Sequence, residues 1–218
     1  MSTAAVLREI YALLLTRFGP QHWWPGETPF EIMVGAVLTQ NTSWRNVEKA
    51  IANLKAAQLL SPVALAALPD EVLAEHIRSA GYHNLKAGRL KNLLALIAAQ
   101  GGAEALLSQP TIALRELLLS VKGIGQETAD SIVLYAANRP IFVVDAYTHR
   151  ISSRHGLIDE ESDYFQLQEL FMNNLPEDAA LFNEYHALLV RLGKEFCKKS
   201  KPRCEACPLA ALDGPMSY

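Results

Sequence analysis

Cysteine is scarce in this chain and confined to one place: three in 218 residues, at Cys197, Cys204 and Cys207. An odd, clustered set excludes a disulfide-built scaffold. No apolar run reaches the roughly 18 residues that a membrane span needs. The apolar start, MSTAAVLREIYALLL, is broken by Arg8 and Glu9, which argues against a signal peptide. A cytoplasmic protein with no membrane partner is expected. Strong charge is missing too, the net value being −3, so a uniformly basic nucleic-acid binder is excluded but a local basic face is not. Extended-chain signals are almost absent. Only PIFVVD, 140–145, reads that way, and a lone strand has no ladder partner, so it is expected to be a buried connector.

What the chain does have is alanine, leucine and helical spacing. Apolar residues recur at helical intervals from AAVLREIYALLLTRF, which stops at Gly19-Pro20, to AALFNEYHALLVRLGKEF. PFEIMVGAVLTQNTSWRNVEKAIANLKA reads as two helices parted by the polar stretch Thr39 to Ser43. The fold class is all-α, with two helical lobes and no linker between them. Basic residues gather at Arg191, Lys194, Lys198, Lys199, Lys201 and Arg203, and again at Lys86, Arg89 and Lys91, while IDEESD collects acids.

Two features carry chemistry. In SVKGIGQETAD, Gly123 and Gly125 open a helix and have free access to positive φ, so backbone N–H groups can approach a phosphate without reading a base. Lys122, in the same turn, is expected to face phosphate as well. Asp145 follows the apolar run and heads AYTHRISSRHG, where it can cap the helix; a carboxylate fixed there stays ionised and oriented, as charge stabilisation requires. The segment LLSVKGIGQETADSIVLYA followed by VVDAYTHR resembles the helix-hairpin-helix DNA glycosylases of the endonuclease III superfamily, over almost the whole chain. The resemblance implies a helical-barrel lobe at 24–137, with the hairpin motif at about 112–137, and a second lobe of 1–23 plus 138–218 that carries the catalytic aspartate and the cysteines. It implies double-stranded damaged DNA as partner, a nucleotide flipped between the lobes, Asp145 beside the sugar, and a monomer. Asn41 and Thr128 are expected at the DNA, with Gln40 where relatives insert a wedge.

Bifunctional members place a lysine, which forms a Schiff base, where this chain has Glu127. A carboxylate forms no imine, so the β-lyase route is expected to be absent and water to be the nucleophile. WWP, GAVLTQNT, GYHNLKAGRL and KGIGQETAD are similar to the bacterial 3-methyladenine DNA glycosylase III subgroup. That implies a base pocket from Trp24 and Trp44, with Trp23 adjacent; the subgroup often has phenylalanine where Trp44 stands. An aromatic pocket suits a cationic, N-alkylated purine. A mismatch or oxidised-base glycosylase, or a lesion-binding protein without turnover, stays open. His186 and Arg191 are candidates for the same cleft by position alone.

The cysteines are spaced C-x6-C-x2-C in a basic tail, a pattern for metal or cluster ligation. The superfamily resemblance implies a [4Fe–4S] cluster with a fourth cysteine, but that position is Asp213. Three outcomes stay open: Asp213 or water completes the cluster, the cluster is three-iron or unstable, or no metal binds. Cluster retention, in a loop that grips the DNA backbone, is the expectation. Protein purified anaerobically is expected to be brown with about four irons per chain; colourless, iron-free protein would contradict this.

Overall fold

The computed structural model describes residues 2–212. Among them every regular element is helical and no strand occurs. The chain divides into two compact units, one of Trp24–Arg139 and one formed by the segments before Trp24 and after Arg139.

The Trp24–Arg139 unit is built around the Pro29–Leu38 helix. Thr28 caps it by accepting from the Glu31 N–H at 3.1 Å, and Pro29 opens it. Its residues Met33 to Leu38 are buried without a break, as expected of a helix that is apolar all round and central in its layer. The helices Trp44–Ala56, His83–Ala99 and Gln126–Ser131 pack on it, the last continuing through a wider π turn at Ile132–Ala136. The arms of the hairpin, Thr111–Leu119 and Gln126–Ser131, are joined by a bidentate ion pair. Arg115 Nε reaches Asp130 Oδ1 at 2.6 Å and Nη2 reaches Oδ2 at 3.1 Å, with Asp130 fully buried. Charge-assisted fork geometry of this kind fixes orientation as well as distance.

In the other unit the Thr3–Phe18 helix sets Leu7, Ile10 and Leu14 against the Ala179–Glu195 helix, where Tyr185 donates its hydroxyl to Leu7 O at 2.8 Å. The segment 140–145 is a buried connector, as its sequence suggested, and side chains meet two of its backbone groups. Gln168 Nε2 donates to Phe142 O at 2.7 Å, and Val144 N donates to the Tyr164 hydroxyl at 3.4 Å. Phe142 stacks on Phe171 with ring centroids 3.9 Å apart. Arg191, a site candidate by sequence, has a structural task here: it donates to Phe18 O and Gln21 Oε1, each at 3.2 Å, and lies 4.8 Å over the Phe18 ring.

Candidate functional site

The hairpin is held from one face of the His83–Ala99 helix. Asn92 Nδ2 donates to Lys122 O at 2.9 Å. Gln40 Nε2 donates to Gly123 O at 3.1 Å and to Thr128 Oγ1 at 2.9 Å, and its Oε1 accepts from Arg89 Nη1. One turn earlier Lys86, only 1% exposed, donates from Nζ to Leu38 O at 2.9 Å and Ala80 O at 2.8 Å. Burial, aided by the Arg89 charge, pushes its ammonium down to about 8. Helical spacing makes this row possible, since residues three apart share a face.

Several expectations change in detail. Gly123 adopts positive φ, +95°, but Gly125 is extended, with φ −97° and ψ −178°, so only one of the two glycines uses its special freedom. A Cβ on Gly123 would lie 2.5 Å from Arg89 Cγ, whereas one on Gly125 would meet open space. Thr128, expected at the DNA, is buried, its hydroxyl occupied by Gln40. Gln40 itself bonds back into the hairpin instead of projecting. Asn41, beside it, is exposed with φ +54°. The basic group Lys86, Arg89 and Lys91 is not a solvated face: Lys91 Nζ caps the Pro62–Ala67 helix through Leu65 O at 3.0 Å and Ala66 O at 2.8 Å. By contrast Lys194, Lys199, Lys201 and Arg203 are exposed, as are Lys122 and Glu127. Sequence reading missed Tyr82, 69% exposed at φ +47°; the cue was an aromatic placed directly after the helix-ending Gly81.

Trp24 and Trp44 do come together, but edge to face, with centroids 5.0 Å apart at 83°, and Tyr135 joins them 5.2 Å from Trp24. No base-wide slot separates the two indoles in this arrangement, since a stacked base needs parallel rings about 7 Å apart. Gly35 makes room for the Trp24 ring, since a Cβ there would lie 3.1 Å from Cζ2. Trp44 Nε1 donates to Glu48 Oε1 at 2.9 Å, which fixes its ring. Trp23 falls in the other unit.

Asp145 lies in that other unit as the N-cap of the Ala146–Arg154 helix. Its Oδ1 accepts from Thr148 N at 2.7 Å and Thr148 Oγ1 at 2.9 Å, while Oδ2 stands 3.7 Å from His186 Nε2. Burial works to raise the carboxyl, but the His186 imidazole and the two Thr148 donors outweigh it, and the group sits below the usual carboxylate range. It is therefore ionised at neutral pH, nearly buried, and held in one orientation. His186 was a candidate by position alone; the sequence carried no sign of its pairing with Asp145.

The three cysteines line one cavity of about 480 Å³ together with Arg154, His155 and Phe196. Burial pushes the Cys207 thiol up; the Leu209 N–H opposes this and the nearby Cys197 and Cys204 add to it. Arg154 Nη1 donates to Cys197 Sγ at 3.4 Å and to Lys198 O at 2.8 Å, and Arg150 Nε donates to Cys197 O at 2.8 Å. Among the described residues no group of three His, Cys, Asp or Glu side chains converges on a metal position. Yet three thiols around one chamber, with a guanidinium against the first, are a donor set that fits a thiolate-bound cluster. Asp213, the expected fourth position, lies outside the described residues.

Residues 34–177 match the family model of the HhH-GPD superfamily base excision DNA repair protein. A protein of the archaeon Methanocaldococcus jannaschii described as a "putative DNA repair glycosylase" is 50% identical over 207 residues, 94% of each chain. Thermotoga maritima endonuclease III is 29% identical over 203 residues, 93% of this chain and 89% of that one. Among solved structures, an H. pylori 3-methyladenine DNA glycosylase bound to 1,N6-ethenoadenine superposes with a TM-score of 0.77 at 31% identity, covering 89% of this chain and 98% of that one. A non-covalent endonuclease III–DNA complex superposes with a TM-score of 0.82 at 25% identity, covering 96% and 94%. Nothing in these similarities carries the bacterial origin that the subgroup resemblance implied. Among the described residues no helix is long and apolar enough to cross a membrane.

The two glycines are expected to respond differently to alanine. Gly123→Ala forces a Cβ into Arg89 at a positive φ and should lower stability by about 1–3 kcal/mol, read from urea unfolding. Gly125→Ala should stay within about 0.5 kcal/mol of the native chain. Equal effects at the two positions would contradict the geometry.

Proposed function

The chain belongs to the HhH-GPD superfamily of base excision DNA repair proteins and is a base excision DNA glycosylase; from that premise we propose that it removes N-alkylated purines hydrolytically and does not cut the strand. The observation that carries this reading is Asp145, an ionised, two-donor-clamped carboxylate in the sequence context VVDAYTHR. Breaking the N-glycosidic bond sends its electron pair to the base and leaves an oxocarbenium-like sugar. A fixed negative charge beside C1′ stabilises that cation, and because the carboxyl is a weak base its contribution is electrostatic more than proton-abstracting. Water then adds to C1′ and gives up a proton to solvent, which leaves a neutral abasic sugar. A base alkylated at a ring nitrogen is cationic and leaves as a neutral molecule, so no strong general acid is required.

Trp24, Trp44 and Tyr135 supply electron-rich faces, and Glu48 places a carboxylate beside them, an environment that favours a cationic base. The likeness to a 3-methyladenine glycosylase holding an adenine adduct supports the same substrate class. Glu127, exposed in the first turn of the post-hairpin helix, offers no amine for a Schiff base. The DNA backbone is gripped through the Lys122–Gly125 turn and the exposed Lys199, Lys201 and Arg203, with Asn41 and Tyr82 held outward on positive φ to meet the duplex. Cys197, Cys204 and Cys207 would hold an iron–sulfur cluster that shapes the basic loop; its contribution is structural.

The test uses duplexes carrying 7-methylguanine, a stabilised 3-methyladenine analogue, hypoxanthine, uracil opposite guanine, thymine opposite guanine, and adenine opposite 8-oxoguanine. Each is incubated with the protein and analysed with and without hot alkali. Cleavage of the alkylated duplexes only after alkali is the expected result. Nicking without alkali would overturn the hydrolytic route, and release confined to uracil, thymine or adenine would overturn the substrate class. Tight binding with no release would leave a lesion-binding protein.

A further inference from the structure

The Ala179–Glu195 helix presents Tyr185, Leu188, Leu189 and Leu192 to the core, all buried. His186 sits among them with a side-chain exposure of 9%, yet its Nε2 is directed at Asp145 Oδ2, 3.7 Å away. The approach of the two helices is set at Gly193, where a Cβ would come 2.3 Å from Tyr147 Cδ1; Tyr147 belongs to the same helix that Asp145 caps. The Asp145 oxygens are thus divided between partners. Oδ1 takes both Thr148 donors, and Oδ2 faces the imidazole. An aspartate held through one oxygen alone is free to turn about its terminal torsion, which is broad and roughly two-fold.

We propose that His186 is the positioning residue for Asp145: its imidazole fixes the second carboxylate oxygen, so that the plane of the carboxylate, and the charge it offers to the developing cation, are set before substrate arrives. This deepens the reading of Asp145 as the charge-stabilising group and rests on it. The role acts on turnover and not on DNA affinity, since His186 is buried and faces the Asp145 carboxylate, not the exposed cations proposed to meet the backbone. Preorganisation of this kind is worth much even for small displacements, about 10- to 100-fold in rate for misplacement by an ångström.

His186→Ala and His186→Gln separate positioning from packing. Single-turnover release from a 7-methylguanine duplex is expected to fall about 10- to 100-fold in His186→Ala, with the dissociation constant for the same duplex unchanged, and to recover in His186→Gln, which keeps an N–H donor. Thermal melting reports whether each variant is folded. Independently of turnover, the Asp145 carboxyl, followed by carbon NMR, should titrate closer to the ordinary aspartate range in His186→Ala than in the native chain. An unmoved Asp145 titration, or a Gln variant no better than Ala, would overturn the proposal. Native protein that releases no base while the titration still moves would sink the glycosylase reading and support the contact.

Discussion

A single row of polar side chains along the His83–Ala99 helix, Lys86, Arg89 and Asn92, is the constraint on which the proposed DNA-binding surface depends. Lys86 is buried and satisfies Leu38 O, the last carbonyl of the central helix, together with Ala80 O. Helix-terminal carbonyls away from water must find donors, and an ammonium at that end also meets the negative pole of the helix dipole. Three residues on, Arg89 packs under Gly123 and binds Gln40; three further, Asn92 binds Lys122 O. The 39–43 turn and the hairpin are therefore referenced to one rigid helix. Loops fixed this way lose little entropy when they meet a ligand.

The two units divide the labour. The Trp24–Arg139 unit carries the hairpin, the aromatic group and the outward Tyr82, the elements proposed to grip and recognise the DNA. The other unit carries the carboxylate and, at the far end of the same helix that Asp145 caps, Arg150 and Arg154 tied to the Cys197–Lys199 turn. One short helix thus holds the proposed charge-stabilising carboxylate at its N-terminus and, through Arg154, the cysteine loop at its C-terminus. The charge pattern follows this division. A cluster of exposed cations, Lys194, Lys199, Lys201 and Arg203, lies in 194–203, where Glu195 is the one acid, while Lys86 and Lys91 are used inside the fold.

Much of this was legible in the sequence because it rests on local rules. Helical spacing identifies an all-helical chain, a lone apolar extended run can only be a buried connector, and an aspartate before a helix is a cap whether or not it is also catalytic. What stayed hidden rests on contacts between segments distant in the chain. Nothing local shows that Gln40 reaches Gly123 and Thr128, that Lys86 and Lys91 turn inward to carbonyls, or that His186 faces Asp145. Gly125 looks like Gly123 in sequence, yet only Gly123 is pressed against a side chain at positive φ. The tryptophans illustrate the same limit: the family resemblance pairs Trp24 with Trp44, but their edge-to-face angle is set by contacts with Gly35, Glu48 and Tyr135.

The central claim is that the Asp145 charge, and not merely its capping hydrogen bonds, drives base release. Asparagine caps a helix about as well as aspartate, so Asp145→Asn removes the charge and leaves the cap. The measurement is single-turnover excision from an alkylated duplex alongside the dissociation constant for that duplex. The account predicts a loss of excision of about 10²- to 10³-fold or more with binding essentially unchanged. Excision that survives the substitution, or binding and excision lost in equal measure, would contradict it.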